Sequence, residues 1–216
     1  LNDHFTFQGS YSRRVSRPGF QEQNPFAFFI DSLTYTQGNP LLRPEISNNG
    51  QFAVTYDNQP FIRISYSKTN DVIIENAPRL EGTRTFTTAE NLAKYERWAF
   101  ELNFPIKIGK IVDGYGGNQF IRNAYDAEYL DIRYNRAKWN WLAYAQINVK
   151  LPGDIKFELG GWYMTPFLEE FFDIGSMGGM SLGLSKTFWE QRGRLSLSFN
   201  DVLYTQKTRV HIDYGD

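Results

Sequence analysis

Cysteine is absent from this chain of 216 residues, and histidine occurs only twice, as His4 and His211. Structural disulfides and thiolate metal centres are therefore excluded. A serine or threonine nucleophile has no neighbouring histidine base, since the two histidines lie near opposite ends of the chain. No apolar run approaches the roughly 20 residues that a membrane-spanning helix requires. A net excess of either charge is missing as well: 23 basic and 24 acidic residues leave a net charge of −1. That balance gives no electrostatic case for nucleic acid or for an acidic membrane surface.

What the chain has in quantity is aromatic. With 18 Phe, 13 Tyr and 5 Trp, the aromatic share reaches 17%, beside 18 Gly and 9 Pro. Aromatics favour strands, and glycine with proline favours turns, so the composition points to an all-β protein. A mean hydropathy of −0.48 does not exclude a membrane. A barrel strand crosses with only about 9–11 residues, and alternate ones face a polar lumen.

Period-2 alternation recurs along the chain. From Phe5 to Val15, Phe5, Phe7 and Tyr11 oppose Thr6, Gln8, Ser10 and Ser12. Phe52, Val54 and Tyr56 oppose Gln51, Ala53 and Thr55, and a third strand sets Ile62, Ile64 and Tyr66 against Arg63, Ser65 and Ser67, continuing to Ile74. A fourth strand, from Glu90 to Phe104, carries Trp98, Phe100 and Leu102 on one face. An irregular fifth strand is expected between Ile111 and Tyr134, with a loop around Tyr125 to Asp131. Four further strands follow, around Trp139–Leu151, Ile155–Leu159, Met180–Leu184 and Leu195–Phe199. The turns alternate in length. Asp57–Pro60, Pro105–Lys110, Pro152–Asp154 and Glu190–Gly193 are short, whereas Arg17–Ile46, Glu75–Thr88 and Thr165–Met177 are long. Outer-membrane barrels alternate in this way, and they gather aromatics in girdles at both interfaces. Trp98, Trp139, Trp141, Tyr163, Phe188 and Trp189 sit near strand ends, as such girdles require.

The most distinctive stretch is Thr34 to Glu45, T-Y-T-Q-G-N-P-L-L-R-P-E. Gly38 and Asn39 offer turn chemistry, and Pro40 and Pro44 each lack an N–H, so neither a helix nor a central strand is expected there. Upstream lie R-R-V-S-R-P (Arg13–Pro18) and Asn24-Pro25-Phe26. This order of strand, Asn-Pro-Phe loop, G-N-P-L-L-R-P-E and return strand resembles the late barrel of TonB-dependent outer-membrane receptors, within the outer-membrane β-barrel family. The resemblance covers most of the chain, though only the loop motifs are specific.

The resulting expectation is an all-β fold: an antiparallel up-and-down meander of about nine strands, forming a partial arc of a larger transmembrane β-barrel. Residues 1–216 are read as a fragment of that barrel domain, without plug domain or signal peptide and with the final strand missing. The resemblance implies a barrel of about 22 strands around a plugged lumen. It also implies import of a nutrient ligand (siderophore, haem, vitamin, glycan or peptide) across the outer membrane of a Gram-negative bacterium. The implied partners are outer-membrane lipid, the plug domain of the same full-length chain, the TonB complex acting through that plug, and a surface lipoprotein. No enzyme activity, cofactor, metal or nucleic-acid partner is expected. The open edges of the arc are expected to pair with another copy, or its apolar face to associate in detergent.

Arg17, Tyr35, Asn39 and Arg43 are the candidate ligand-binding residues. Arginines at the rim suit a carboxylate or phosphate bidentately, or tie the loop to the rim through Asp31 or Glu45. Phe28, Phe29 and Tyr35 either stack on a ligand or pack the loop onto itself. Glu169, Glu170 and Asp173 would suit a hard cation or a glycosidic bond, but read more simply as a solvated acidic loop tip; Asp126, Glu128 and Asp131 read the same way. Gly114, Gly116 and Gly117 lack the Lys-Ser/Thr of a phosphate loop and are read as a bulge or bend. Two alternatives stand beside the receptor: a soluble β-sandwich that binds glycans, and a passive porin or surface assembly component. A sandwich requires Phe52, Ile64, Phe100, Ile147 and Leu197 to be buried together between two stacked sheets.

Overall fold

A computed structural model describes residues 4–57, 59–129, 132–170, 172–189 and 192–212. In chain order its elements begin with β1 (Phe5–Ser16), the one-turn helix α1 (Phe20–Gln23), β2 (Phe28–Phe29) and β3 (Thr34–Thr36). Then come β4 (Glu45–Tyr56), β5 (Gln59–Glu81), β6 (Arg84–Ile108), β7 (Val112–Tyr129), β8 (Ile132–Leu151) and β9 (Ile155–Met164). β10 (Phe167–Glu169), β11 (Phe172–Ile174), β12 (Met177–Phe188), β13 (Gly193–Phe199) and β14 (Val210–Ile212) complete the chain. Nine of these run as one antiparallel meander, β1-β4-β5-β6-β7-β8-β9-β12-β13. The order follows the sequence, and the sheet does not close. β1 and β13 are its two edges.

The pairing register carries side-chain alternation across all nine strands. Phe52 faces Ile64, Ile64 faces Phe100, Phe100 faces Phe120, and Phe120 faces Trp141. Further along, Ile147 faces Leu159, Leu159 faces Leu182, and Leu184 faces Leu197. One surface is thus a continuous apolar band, and no second sheet covers it: Phe52 is 45%, Phe100 38% and Leu197 52% exposed. The stacked-sheet arrangement of a sandwich is absent from the described residues. Soluble monomers rarely expose apolar patches beyond roughly 300–600 Å², and a band nine strands wide belongs in hydrocarbon.

Its height fits. On β6 the band runs from Trp98 to Ile108, ten residue steps or about 33 Å of strand. A tilt of about 40° reduces this to about 25 Å, the usual height of an outer-membrane apolar belt. At the upper margin Tyr66 and Trp98 pack with ring centroids 4.5 Å apart, and Trp141 meets Tyr163 edge-on at 6.4 Å. Phe188 and Trp189 lie at the lower margin, by the short turn into β13. The opposite surface is wet. Arg63 pairs with Glu101 at 3.3 Å, Tyr115 donates to Gln146 at 3.0 Å, and Tyr144 donates to Asn103.

Several local expectations are corrected. Glu75–Thr88 is not a loop: β5 and β6 continue through it to a tight turn at Gly82, whose φ is +62°. Likewise β7 reaches Tyr129 and β8 starts at Ile132, leaving no long loop at 125–131. At this end the chain length is spent on strands that outrun the apolar band, so Trp98 marks the margin of the band and not the end of its strand. Three register shifts between Thr69 and Ala77 break the alternation there, which explains why period 2 fades. Pro105 lies inside β6, opposite Tyr115, and the turn is shorter than expected. β5 pairing stops at Ile62–Leu102, so at Pro105 β6 has β7 alone as partner and can spare an N–H. A short strand, β3, also occupies part of 34–45.

The glycine run is no bulge. Gly114 to Gly117 keep unbroken register with both β6 and β8. The reason is close approach: a Cβ on Gly114 would overlap the Gln146 carbonyl oxygen, and one on Gly116 would press the Phe104 ring at 3.2 Å. Gly114→Ala is therefore expected to destabilise the β7–β8 pair by about 1–3 kcal/mol, read as a lower urea midpoint, while Gly9→Ala, with open space around it, stays near neutral.

Candidate functional site

The end opposite the short turns is built by two segments that fold back on the strands. The first is 17–44. Asn24 Oδ1 accepts from the Phe26 N–H at 3.1 Å, and Asp31 Oδ1 from the Leu33 N–H at 2.7 Å, turns that these side chains close on their own backbone. β2 and β3 form a small hairpin, and β3 then joins β6 in parallel, with Tyr35 beside Phe86. β7 pairing begins only at Ala93–Ala127, so β3 takes the edge of β6 that β7 leaves free.

Three of the four candidate residues are committed to this framework. Tyr35 is 6% exposed, stacks on Phe86 at 4.9 Å and donates its hydroxyl to Glu81 at 2.9 Å. Burial raises its pKa, and the Glu81 carboxylate adds to the rise. Asn39 donates from Nδ2 to the Ala89 carbonyl at 3.1 Å and accepts from the Leu41 N–H at 2.9 Å. Arg43 pairs with Asp71 at 2.6 Å, and Asn91 clasps both its N–H and its carbonyl. Arg17 is exposed, with no ion pair among the described residues. The four do not converge on one cavity.

The second segment is 165–176, where β10 and β11 form a hairpin that β14 extends to three strands. This small sheet lies on the wet face. Leu168, 1% exposed, packs with Tyr125, Ala127 and Tyr134, and Ile74 and Ala77 belong to the same cluster. Asn123 donates to the Leu168 carbonyl at 3.0 Å, and Tyr134 to that of Glu170 at 2.9 Å. Asp173 bonds both Arg136 and, at 2.8 Å, Lys138 on β8. Burial raises the Asp173 pKa, but the bonds and charges of Lys138 and Arg136 outweigh it, and its carboxyl titrates below the ordinary range. Glu170 moves the other way: burial raises it, helped by the carboxylates of Glu169 and Glu75. Glu169, Glu170 and Asp173 are thus part of a docked hairpin. Among the described residues no group of acidic side chains could hold a metal ion. Of the other acidic trio, Asp126 pairs with Arg133 at 3.5 Å, and Asp131 lies outside the described residues.

Two recesses are of ligand size. One, of about 500 Å³, lies between 17–44 and the β5–β6 hairpin, lined by Gln21, Asn24, Phe26, Phe28, Thr87 and Thr88 among others. The other, of about 530 Å³, is set against the wet face, where Tyr115, Gln146, Trp162 and Ser181 meet Gln206 of the returning tail. Thr87 and Thr88 were not singled out by sequence reasoning, and Phe26 was named only within the Asn24-Pro25-Phe26 motif and not as a ligand residue. The available signal was F-A-F-F, an apolar run inside a loop with no core of its own to fill.

An uncovered apolar band about 25 Å high, aromatics at its margins, a wet opposite face and all connections at two ends describe the wall of a transmembrane barrel. No match was found among curated proteins or among solved structures. The model of the outer membrane protein beta-barrel family matches residues 1–216, and the chain belongs to that family, whose members reside in the Gram-negative outer membrane.

Proposed function

We propose that this chain is wall and capture surface of a TonB-dependent receptor that imports a nutrient across the outer membrane. The observation that carries the reading is the small sheet β10-β11-β14, docked on the wet face at the long-loop end through Leu168, Tyr125 and Tyr134. A cap of this kind suits a gated path better than an open pore. The loop motifs Arg13–Pro18, Asn24-Pro25-Phe26 and Gly38–Glu45 support the same reading through their resemblance to such receptors. On this reading 1–216 is one piece of the barrel. Its edges β1 and β13 pair with further strands, because unpaired backbone groups in hydrocarbon cost several kcal/mol each. A plug domain in the same protein receives energy from TonB, and a surface lipoprotein hands over the cargo.

Energy dependence is the test. Cells carrying the intact protein should grow on, or accumulate, a scarce nutrient that cells lacking it cannot use, and loss of TonB should abolish the gain. Uptake that persists without TonB would indicate a passive porin instead.

A further inference from the structure

We infer that the recess between 17–44 and the β5–β6 hairpin binds a neutral oligosaccharide. The inference rests on the proposed receptor reading, which puts this end outside the cell, and it names the class of cargo. Charge speaks first. Among the described residues no Lys, Arg or His lines the recess, whereas Glu22 and Glu75 do. An anionic ligand such as a phosphate, a haem propionate or a carboxylate chelator would meet two like charges and no counter-ion. A cationic ligand would meet Glu75 and a Glu22 carboxylate that accepts one bond, from the Gly19 N–H at 2.7 Å; the rest of the lining is neutral, so a cationic oligomer is the contrast the experiment must carry.

Hydrogen-bonding capacity speaks next. Gln21, Thr36, Thr87 and Thr88 line the space and make no side-chain hydrogen bond among the described residues. Gln21, Thr36 and, of the two successive β6 threonines, the one whose hydroxyl faces the recess each donate and accept, which is what a ligand of vicinal hydroxyls satisfies. Asn24 and Gln37 each spend one end of the amide, Oδ1 on the Phe26 N–H and Nε2 on the Pro25 carbonyl, leaving the other end for the cavity.

The apolar part completes the set. Phe26 is 79% and Phe28 73% exposed at the edge of the same recess. Such exposure gains nothing for the fold. A phenyl face carries negative potential and suits the C–H face of a pyranose ring. At about 500 Å³ the space falls within the roughly 300–1,000 Å³ of ligand sites, enough for a short oligomer.

The experiment uses the intact receptor on cells and in detergent. Leu41 is 85% exposed on the same loop, and residues 1–216 hold no cysteine, so labelling of Leu41→Cys is read against the parent protein. Failure of a membrane-impermeant maleimide to label Leu41→Cys on intact cells would remove the receptor reading itself. With labelling established, calorimetry is run with neutral gluco-, xylo-, manno- and galacto-oligosaccharides, with oligogalacturonate as anion and chitosan oligomers as cation. The expected result is binding of at least one neutral oligomer, weakened about tenfold or more by Phe26→Ala or Phe28→Ala and severalfold by the double variant Thr87→Ala, Thr88→Ala. Binding of none of the neutral set, preference for a charged oligomer, or neutral binding indifferent to Phe26 and Phe28 would each overturn the inference while leaving the receptor reading intact.

Discussion

Leu102→Arg should cost about 2–4 kcal/mol of folding stability in a bilayer, whereas Gln119→Arg should cost less than about 0.5. The two positions sit near the same depth on opposite faces. Leu102 lies near the middle of the apolar band, is 39% exposed and pairs with Ile62. An arginine there must drag its charge into hydrocarbon or thin the bilayer around it. Gln119 faces the wet side opposite Glu101, so a guanidinium there meets water and a carboxylate. Urea titration of the protein refolded into liposomes would measure both. Equal costs at the two positions would mean that the faces do not differ in solvent.

Asp173→Asn should free the β10–β11 hairpin without unfolding the wall. One carboxylate holds Arg136 and Lys138 from β8. Charge-assisted bonds are each worth about 1.5–3 kcal/mol; the asparagine amide oxygen can still accept from one of the two cations, so docking should weaken by about 2 kcal/mol, or about 30-fold in local opening. Hydrogen exchange should accelerate by that factor across 167–174 while β8 amides and the global urea midpoint stay put. Docking should also respond to pH, and the signs follow from the two carboxylates. Glu170 has a raised pKa in the docked state, so its contribution is complete below the ordinary glutamate value and is lost as pH rises through the raised one. Asp173 has a lowered pKa, so its contribution is present above the ordinary aspartate value and fades only as pH falls through the lowered one. The hairpin is therefore tightest under mild acid: protection, measured as exchange relative to the intrinsic rate at each pH, should rise as pH falls from neutral towards the ordinary glutamate value and drop again below the ordinary aspartate value. Glu170→Gln should remove the first change and keep the second.

The nine wall strands were legible because membrane and lumen impose opposite demands on successive residues, and Phe52-Ala53-Val54-Thr55 or Trp98-Ala99-Phe100-Glu101 record that in plain alternation. Legibility ends where hydrocarbon ends. Above Trp98 both faces of β5 and β6 meet water or folded loop, so no alternation is enforced; the bulges near Asp71, whose φ is +56°, shift what remains. Gly114–Gly117 misled for another reason: glycine there answers to neighbouring rings and carbonyls on β6 and β8, which a single strand does not reveal. At the loop end, Tyr35 and Arg43 look like ligand groups until Phe86, Glu81 and Asp71 are brought beside them by pairings far apart in the chain. The three-residue strands β10 and β11 are too short to leave a period.

Lipid quenching of tryptophan reads the two faces directly. Two variants, Leu102→Trp and Gln119→Trp, each in a background whose own tryptophans are replaced by phenylalanine, are folded into bilayers containing lipids brominated at mid-chain. Strong quenching at 102 with little at 119, and the reverse order with aqueous acrylamide, is the predicted pair of results. A residue 102 shielded from both quenchers would mean that its side of the sheet packs against protein, and the barrel wall would have to be given up.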